Sequence, residues 1–366
     1  MERLLGYISA HFVKFGILAY FLGHLPLTYH REYWKYYASI LWKLTSFHVN
    51  YIDFGFVKRG VVGTAVKPLF DAFDDGSAGE LVLMFAFDIA CVAVFFYLFS
   101  KACDHLLKDA GNLRNYIKSV AAISPVGISQ FAYDVGRLDH LNYILLIACI
   151  VAIARGRLVL SGMLAAVAIL IHEAFFIYGA PMIIAYAMSR KMDPRRFYIF
   201  VFAMLYAAGL VFSFGNSDVA LDQVLSKEAS IGAEVWDRGI FLGNLPLSAY
   251  EYLTVIPYMI SAYLLLYRVY SANDMKIDLI FLSTFAPLTL FALGIDFFRW
   301  THIVVVVVFA AIFIKSTERA LIFSTPGWRL RDVPLLLLIL PLGPIGIDIG
   351  FPVVLKVVDF FSGSPW

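Results

Sequence analysis

Charge is what this sequence has least of. Only 15% of its 366 residues are charged, where a soluble domain has about a quarter. The net charge is +2, and the basic residues are scattered among apolar stretches. That balance gives no basic stripe for nucleic acid. Cysteine is scarce too: Cys91, Cys103 and Cys149 all lie in or beside apolar runs, and none joins another in a CxxC. Neither a zinc site nor a disulfide framework follows, and the three read as small buried hydrophobes. No internal repeat, low-complexity tract or soluble domain stands out. The first apolar run, about 11–27, is followed by no small-residue cleavage site, so it reads as a membrane helix rather than a cleaved signal.

What is abundant is apolar. Hydrophobic residues make up 61% of the chain, and the mean hydropathy is +0.79. Both point to lipid as the solvent. A spanning helix needs about 20 mostly apolar residues. That rule predicts helices near 11–28, 80–101, 117–133, 140–154, 158–178, 174–189, 197–214, 251–268, 277–294, 300–315 and 333–346. The fifth and sixth share residues, because the boundary around His172 and Pro181 is open. The expected fold is an all-α polytopic transmembrane helix bundle of about eleven helices, a single integral membrane domain over 1–366. Its long connections are two outer loops, about 29–79 and 215–250.

Lys and Arg in short loops set orientation. Lys101, Lys108, Arg114 and Lys118 form one basic set; Arg155 and Arg157, Arg190 to Arg196, Arg268 and Lys276, and Lys315 to Arg331 follow in alternate connections. They mark the cytoplasmic side, which Arg3 and the N-terminus join. The opposite face then collects Asp53, Lys58 and Arg59; Asp134, Arg137, Asp139 and His140; His172 and Glu173; Asp237 and Arg238; and Asp296, Arg299 and His302. Ionisable groups at membrane depth are expensive and usually face a cavity, a partner or a path. Five distant segments placing them at similar depth is the strongest signal in the sequence.

Each segment carries its own chemistry. In Tyr51-Ile-Asp-Phe-Gly-Phe-Val-Lys-Arg-Gly60, Asp53 is suited to take a proton from a hydroxyl, and Lys58 or Arg59 to hold a phosphate. A surface loop with an internal salt bridge is the plainer alternative. Arg137 is a fork for phosphate or carboxylate; Asp139 stands either beside it or at a helix N-terminus, where a carboxylate is favourable. His172-Glu173 interrupts an apolar run, so desolvation is expected to raise the Glu173 pKa toward general acid–base use. It is not HExxH, since position 176 is Phe. Asp296 and Arg299 are three apart and either pair with each other or supply a second phosphate-binding arginine, with Trp300 stacking on a sugar or lying in the interfacial belt. Asp88, inside the second predicted helix, either joins the cavity or pairs with an arginine.

An Asp in the first outer loop, just after the first membrane helix, resembles the GT-C superfamily of membrane glycosyltransferases. The topology and outer-face Arg and His residues are similar to polysaccharide polymerases of the Wzy and EpsG kind. The paired acidic motif frequent in the GT-C first loop is absent, since Phe54 follows Asp53. The resemblance implies a polyprenyl-(pyro)phosphate-linked sugar donor, a glycan acceptor, and work on the outer face of a bacterial inner membrane within a polysaccharide assembly machinery. On that reading Asp53 is the first base, with Glu173 and His172 behind it; Lys58, Arg59, Arg137, Asp139, His140, Asp296 and Arg299 bind substrate. No metal or other cofactor is expected. The rival expectation is a transporter or flippase for a lipid-linked or anionic solute.

Overall fold

A computed structural model describes residues 1–29, 43–73, 78–124, 126–127, 131, 135–190, 193–215, 249–293, 297–327 and 329–340. Among these the regular structure is helical throughout, with no strand. In chain order the α-helices are α1 (Glu2–Ala10), α2 (Phe12–Tyr29), α3 (Tyr51–Phe54), α4 (Gly60–Phe70), α5 (Ala78–Leu106), α6 (Gly111–Ile123), α7 (Asp139–Ala154), α8 (Leu158–Ile171), α9 (Ala174–Ser189), α10 (Pro194–Phe214), α11 (Ala249–Ala272), α12 (Leu279–Ser283), α13 (Leu290–Leu293), α14 (Phe297–Glu318) and α15 (Val333–Leu338). The expected loop over 215–250 lies almost wholly outside the described residues, as do Asp134, Asp237, Arg238 and Asp296.

Among the described residues, three helices are long and apolar enough to cross a membrane: Ala78–Leu106, Pro194–Phe214 and Arg299–Glu318. Others expected to cross are shorter. Helices α7, α8 and α9 have 16, 14 and 16 residues, or about 21–24 Å at 1.5 Å per residue. A hydrocarbon core is ~30 Å thick.

Two boundaries correct the sequence reading, and a third resolves one that it left open. The segment 277–294 is not one helix: α12 gives way to a 3₁₀ turn over Ala286–Thr289 before α13, and Pro287 has no amide to continue the α ladder. The stretch 29–79 is not simply a loop, since it contains α3 and α4; α4 has only 11 residues and falls below any length threshold for crossing. The open boundary between the fifth and sixth predicted helices lies at His172-Glu173, while Pro181 sits inside α9.

The chain forms two compact units. One comprises Met1–Tyr29, Phe96–Tyr133 and Pro246–Trp366; the other comprises His30–Phe95 and Asp134–Leu245. In the first unit, α1 and α2 lie against α6, and α11 lies against α14 and α15. Phe12 meets Phe96 and Phe99, and Phe99 also meets Phe313, at centroid separations of 5.1, 5.9 and 5.6 Å, within the favourable range for aromatic pairs.

In the second unit α8 is central, touching α4, α7, α9 and α10. Helix α7 ends in a Schellman motif: Gly156 has φ 72°, its amide donates to the Ile153 carbonyl, and the Arg157 amide donates to that of Ala152. The chain therefore reverses sharply into α8. Gly162 lets α8 approach α10, because a Cβ there would lie 3.0 Å from the Phe200 Cα. Small residues at crossings are how membrane helices come close. Leu44, Phe47, Val62, Phe70, Met84, Val135, Leu138 and Ile171 form a buried cluster, which joins α4, the first half of α5, and the ends of α7 and α8.

Candidate functional site

The site is assembled on that cluster. Asn50 caps α3, its side-chain oxygen accepting from the Asp53 amide at 2.8 Å. This fixes Asp53 at the end of a single helical turn, which Gly55 closes with φ 68°. The chain then turns back into α4. Arg59 precedes α4 in the left-handed region, with φ 64° and ψ 5°. Such a backbone costs a non-glycine residue roughly 1–2 kcal/mol. Gly63 brings α4 hard against the preceding segment, since a Cβ there would lie 2.0 Å from the Val49 carbonyl oxygen.

From this turn the Arg59 guanidinium reaches Glu173, 114 residues away in sequence. Nη2 lies 2.6 Å from Oε1, and Nε 3.2 Å from Oε2. This two-pronged grip is the strong geometry for an arginine and a carboxylate. Glu173 occupies the break between α8 and α9. There the backbone leaves the helix at His172, with φ −153° and ψ 118°, exposing terminal amides and carbonyls that need partners. The Ala174 amide donates to His172 Nδ1 at 3.2 Å, and Asn142 Nδ2 donates to the His172 carbonyl at 3.3 Å. His172 Nδ1 also lies 3.9 Å from Glu173 and 4.0 Å from Asp139. Arg59, Glu173, His172 and Asp139 thus form one line of ionisable groups drawn from three distant segments.

Burial pushes the Glu173 carboxyl up, but His172 and the Arg59 guanidinium outweigh it and hold it well below the usual carboxylate range. The expected rise is therefore reversed. The sequence placed Glu173 in an apolar run but gave no sign that an arginine from the first loop would meet it.

Asp53 takes a partner the sequence reading did not choose. Its Oδ2 lies 3.0 Å from Lys67 Nζ and 2.9 Å from Asn50 Nδ2. Lys67 also binds Asp71 at 3.0 Å. The hydrogen bond to Asp53, then that to Asp71, holds the Lys67 ammonium above its ordinary value. Lys58 lays its stem against Gly215, where a Cβ would meet it at 2.7 Å, and its ammonium forms no ion pair among the described residues.

His140 pairs with Asp88. Its Nδ1 lies 2.7 Å from Asp88 Oδ1, both residues being nearly inaccessible, and the same oxygen accepts the Gly136 amide at 3.1 Å. Asp88 therefore pairs with a histidine, a partner that the sequence reading did not name. Gly136 has φ 78°, and a Cβ there would sit 2.7 Å from the Met84 sulfur, so glycine is required at this turn. Arg137 follows it, half-buried, at the entrance to α7, where Asp139 is the first residue. Arg299, Trp300 and His302 lie in the first turn of the Arg299–Glu318 stretch of the other unit, and the His302 Nδ1 lies 2.7 Å from the Val126 carbonyl. Residues absent from the sequence reading of the site are Asn50, Lys67 and Asn142. Lys67 and Asn50 lie outside any recognisable motif, and only the folded turn brings them to Asp53.

Among the described residues no group of three or more His, Cys, Asp or Glu is placed to hold a metal ion. The three cysteines are free and buried. A scan against protein-family models found no match, nor did searches of curated proteins and of solved structures.

Proposed function

We propose that the protein transfers a sugar from a polyprenyl-(pyro)phosphate carrier to a glycan acceptor at the face of a membrane. The observation that carries the reading is the line from Arg59 through Glu173 and His172 to Asp139, which joins sequence-distant ionisable groups among apolar helices. Transfer needs a base for the acceptor hydroxyl and positive charge for the departing phosphate. Asp53 is the base in this proposal, because its carboxylate is exposed. Glu173, ionised and gripped by Arg59, is a poor proton acceptor and serves to hold Arg59. Lys58, which lacks an acidic partner among the described residues, takes the phosphate with Arg59 and Arg137. The acceptor proton moves to Asp53 as the acceptor oxygen bonds the anomeric carbon. The bond from that carbon to the phosphate oxygen breaks, and its electron pair leaves with the lipid (pyro)phosphate. Asp139 and His140 are positioning residues. Asp296 and Arg299 are not needed for this arrangement.

The GT-C-like architecture, a count near eleven crossings, a cytoplasmic N-terminus, a bacterial inner membrane location and partners in polysaccharide assembly belong to the same proposal. One feature favours the rival: helix breaks at His172-Glu173 and Ala286–Thr289 are the kind of discontinuity that builds transporter sites. Purified protein in liposomes, supplied with a labelled polyprenyl-phosphate sugar and an acceptor glycan, separates the two. New glycosidic product that disappears in Asp53→Asn and falls in Lys58→Gln supports transfer. Movement of intact labelled lipid across the bilayer without product overturns it in favour of a flippase.

A further inference from the structure

The first unit contains a cavity of about 640 Å³ that the transfer reading does not use. It lies where α1 passes into α2, against α6 and the second half of α5. Its charge is mostly of one sign: Lys14, Arg114 and Lys118 line it with a single acid, Asp104, and with His11 and Phe12. Arg114 and Lys118 are four apart on α6, so they share a face. Like charges so placed repel, and nothing in α6 itself offsets them.

Lys118 is buried, at 5% exposure. Its Nζ donates to Asp104 Oδ1 at 2.7 Å and sits 5.9 Å from the Phe12 ring centroid. An ammonium has three donors, so its one hydrogen bond leaves donor capacity at the wall of the cavity. Lys14 and Arg114 form no ion pair among the described residues. Two unneutralised cations and a partly engaged buried lysine around one hollow have the charge to suit an oxyanion, and guanidinium with ammonium suits phosphate. The volume is that of a small-molecule site. Next to it, α2 turns Val13 and Ile17 outward at 51% and 48% exposure. An apolar strip continuing from a basic hollow fits an acyl chain below a phosphate.

We propose that this cavity binds the phosphate of an anionic lipid headgroup, with the chain along Val13 and Ile17. Basic pockets between membrane helices bind such headgroups. None of these residues belongs to the transfer group, so the site stands or falls apart from that chemistry.

The test is native mass spectrometry of the full-length protein in neutral detergent. The probes are dioleoylphosphatidylglycerol, dioleoylphosphatidylcholine and millimolar inorganic phosphate. Wild type is expected to hold phosphatidylglycerol more tightly than phosphatidylcholine. That preference should fall about fivefold for each cation removed in Lys14→Gln and Arg114→Gln, substitutions that orphan no acid. Arg329→Gln, an exposed cation elsewhere in the unit, should leave it unchanged. Competition by inorganic phosphate without lipid preference keeps the oxyanion site and reassigns it to the free ion. Equal retention of both lipids with no phosphate competition overturns the proposal. So does an equal loss in Arg329→Gln. The wild-type comparison is decisive even if a variant fails to fold.

Discussion

Arg59 holds Glu173 through two hydrogen bonds of 2.6 and 3.2 Å while its own backbone sits at φ 64°. A favourable side-chain interaction therefore offsets an unfavourable main-chain conformation in one residue. The two contributions are separable. Arg59→Ala loses the ion pair and keeps the left-handed strain. Arg59→Gly loses the pair and removes the strain, since glycine visits that region freely. The glycine variant should be more stable than the alanine variant by about 1 kcal/mol, with both below wild type. Thermal unfolding in detergent, followed by circular dichroism, measures the order. Equal melting of the two variants would show that the turn is not strained.

The same pair gives a pH dependence. Glu173 is held below its usual range in the folded state, so its contribution is fully present above the unfolded value of about 4.3. It is lost as pH falls below that value and through the folded one. Glu173→Gln should therefore melt below wild type at pH 7, by the equivalent of ~1–3 kcal/mol for a half-buried pair. The gap should narrow steadily below about pH 4. A gap that is constant with pH would mean that the carboxylate charge is not what stabilises the break between α8 and α9.

Much of this site was legible because ionisable residues in apolar sequence are conspicuous. His172-Glu173 in an apolar run and Asp88 inside α5 both announced polar partners. What sequence spacing does not encode is which partner. Asp53 has cations five and six residues away, yet the turn closed by Gly55 carries it instead to Lys67, fourteen residues on. Asp88 meets His140, and Gly136 allows the turn before α7 to pass directly over Met84 and present its amide to the same carboxylate. Helicity followed from composition, whereas helix lengths did not: α4 gives way to a 3₁₀ turn over Asp71–Phe73, and α8 ends at a break capped by His172.

Lys67 offers a test of Asp53. Its ammonium is held above the ordinary value, so the stability it supplies is present at neutral pH and lost as pH rises through the raised value. Lys67→Gln should cost only ~0.2–1 kcal/mol, the range for exposed pairs. Its effect on activity should be larger. Removing the cation beside a carboxylate base favours the protonated form, so the acidic limb of the pH–rate profile for sugar transfer should move to higher pH. An unshifted limb with normal activity would remove Asp53 from the role of base.

The Asp88–His140 pair is the most deeply buried of these contacts, at 1% and 3% exposure. Leaving one charged or polar member behind without its partner should be costly. Asp88→Ala removes both the histidine's partner and the acceptor of the Gly136 amide, and should destabilise by ~3–5 kcal/mol. Asp88→Asn keeps an acceptor oxygen and should recover part of that loss. A double-mutant cycle with His140→Ala should give a coupling of at least ~0.5 kcal/mol. Additive melting shifts would mean that the 2.7 Å contact carries no net energy.

Gly63 decides whether the site depends on close packing of α4. A methyl at this position would fall 2.0 Å from the Val49 oxygen and 2.8 Å from the Phe47 oxygen, and both obstacles are backbone, which cannot rotate aside. Gly63→Ala must therefore push α4 away from the segment that leads into Asn50 and Asp53. Overpacking of this kind typically costs ~1–3 kcal/mol. The displacement also moves Arg59 and Lys67 relative to Glu173 and Asp53, so transfer should fall by more than the stability loss alone would produce at a temperature where the variant remains folded. Gly209→Ala is the control, because a methyl there meets nothing within 4 Å and alanine favours the helix by ~1 kcal/mol. If Gly63→Ala folds, melts like wild type and turns over normally, the tight approach of α4 to the 47–49 segment is not what positions Asp53.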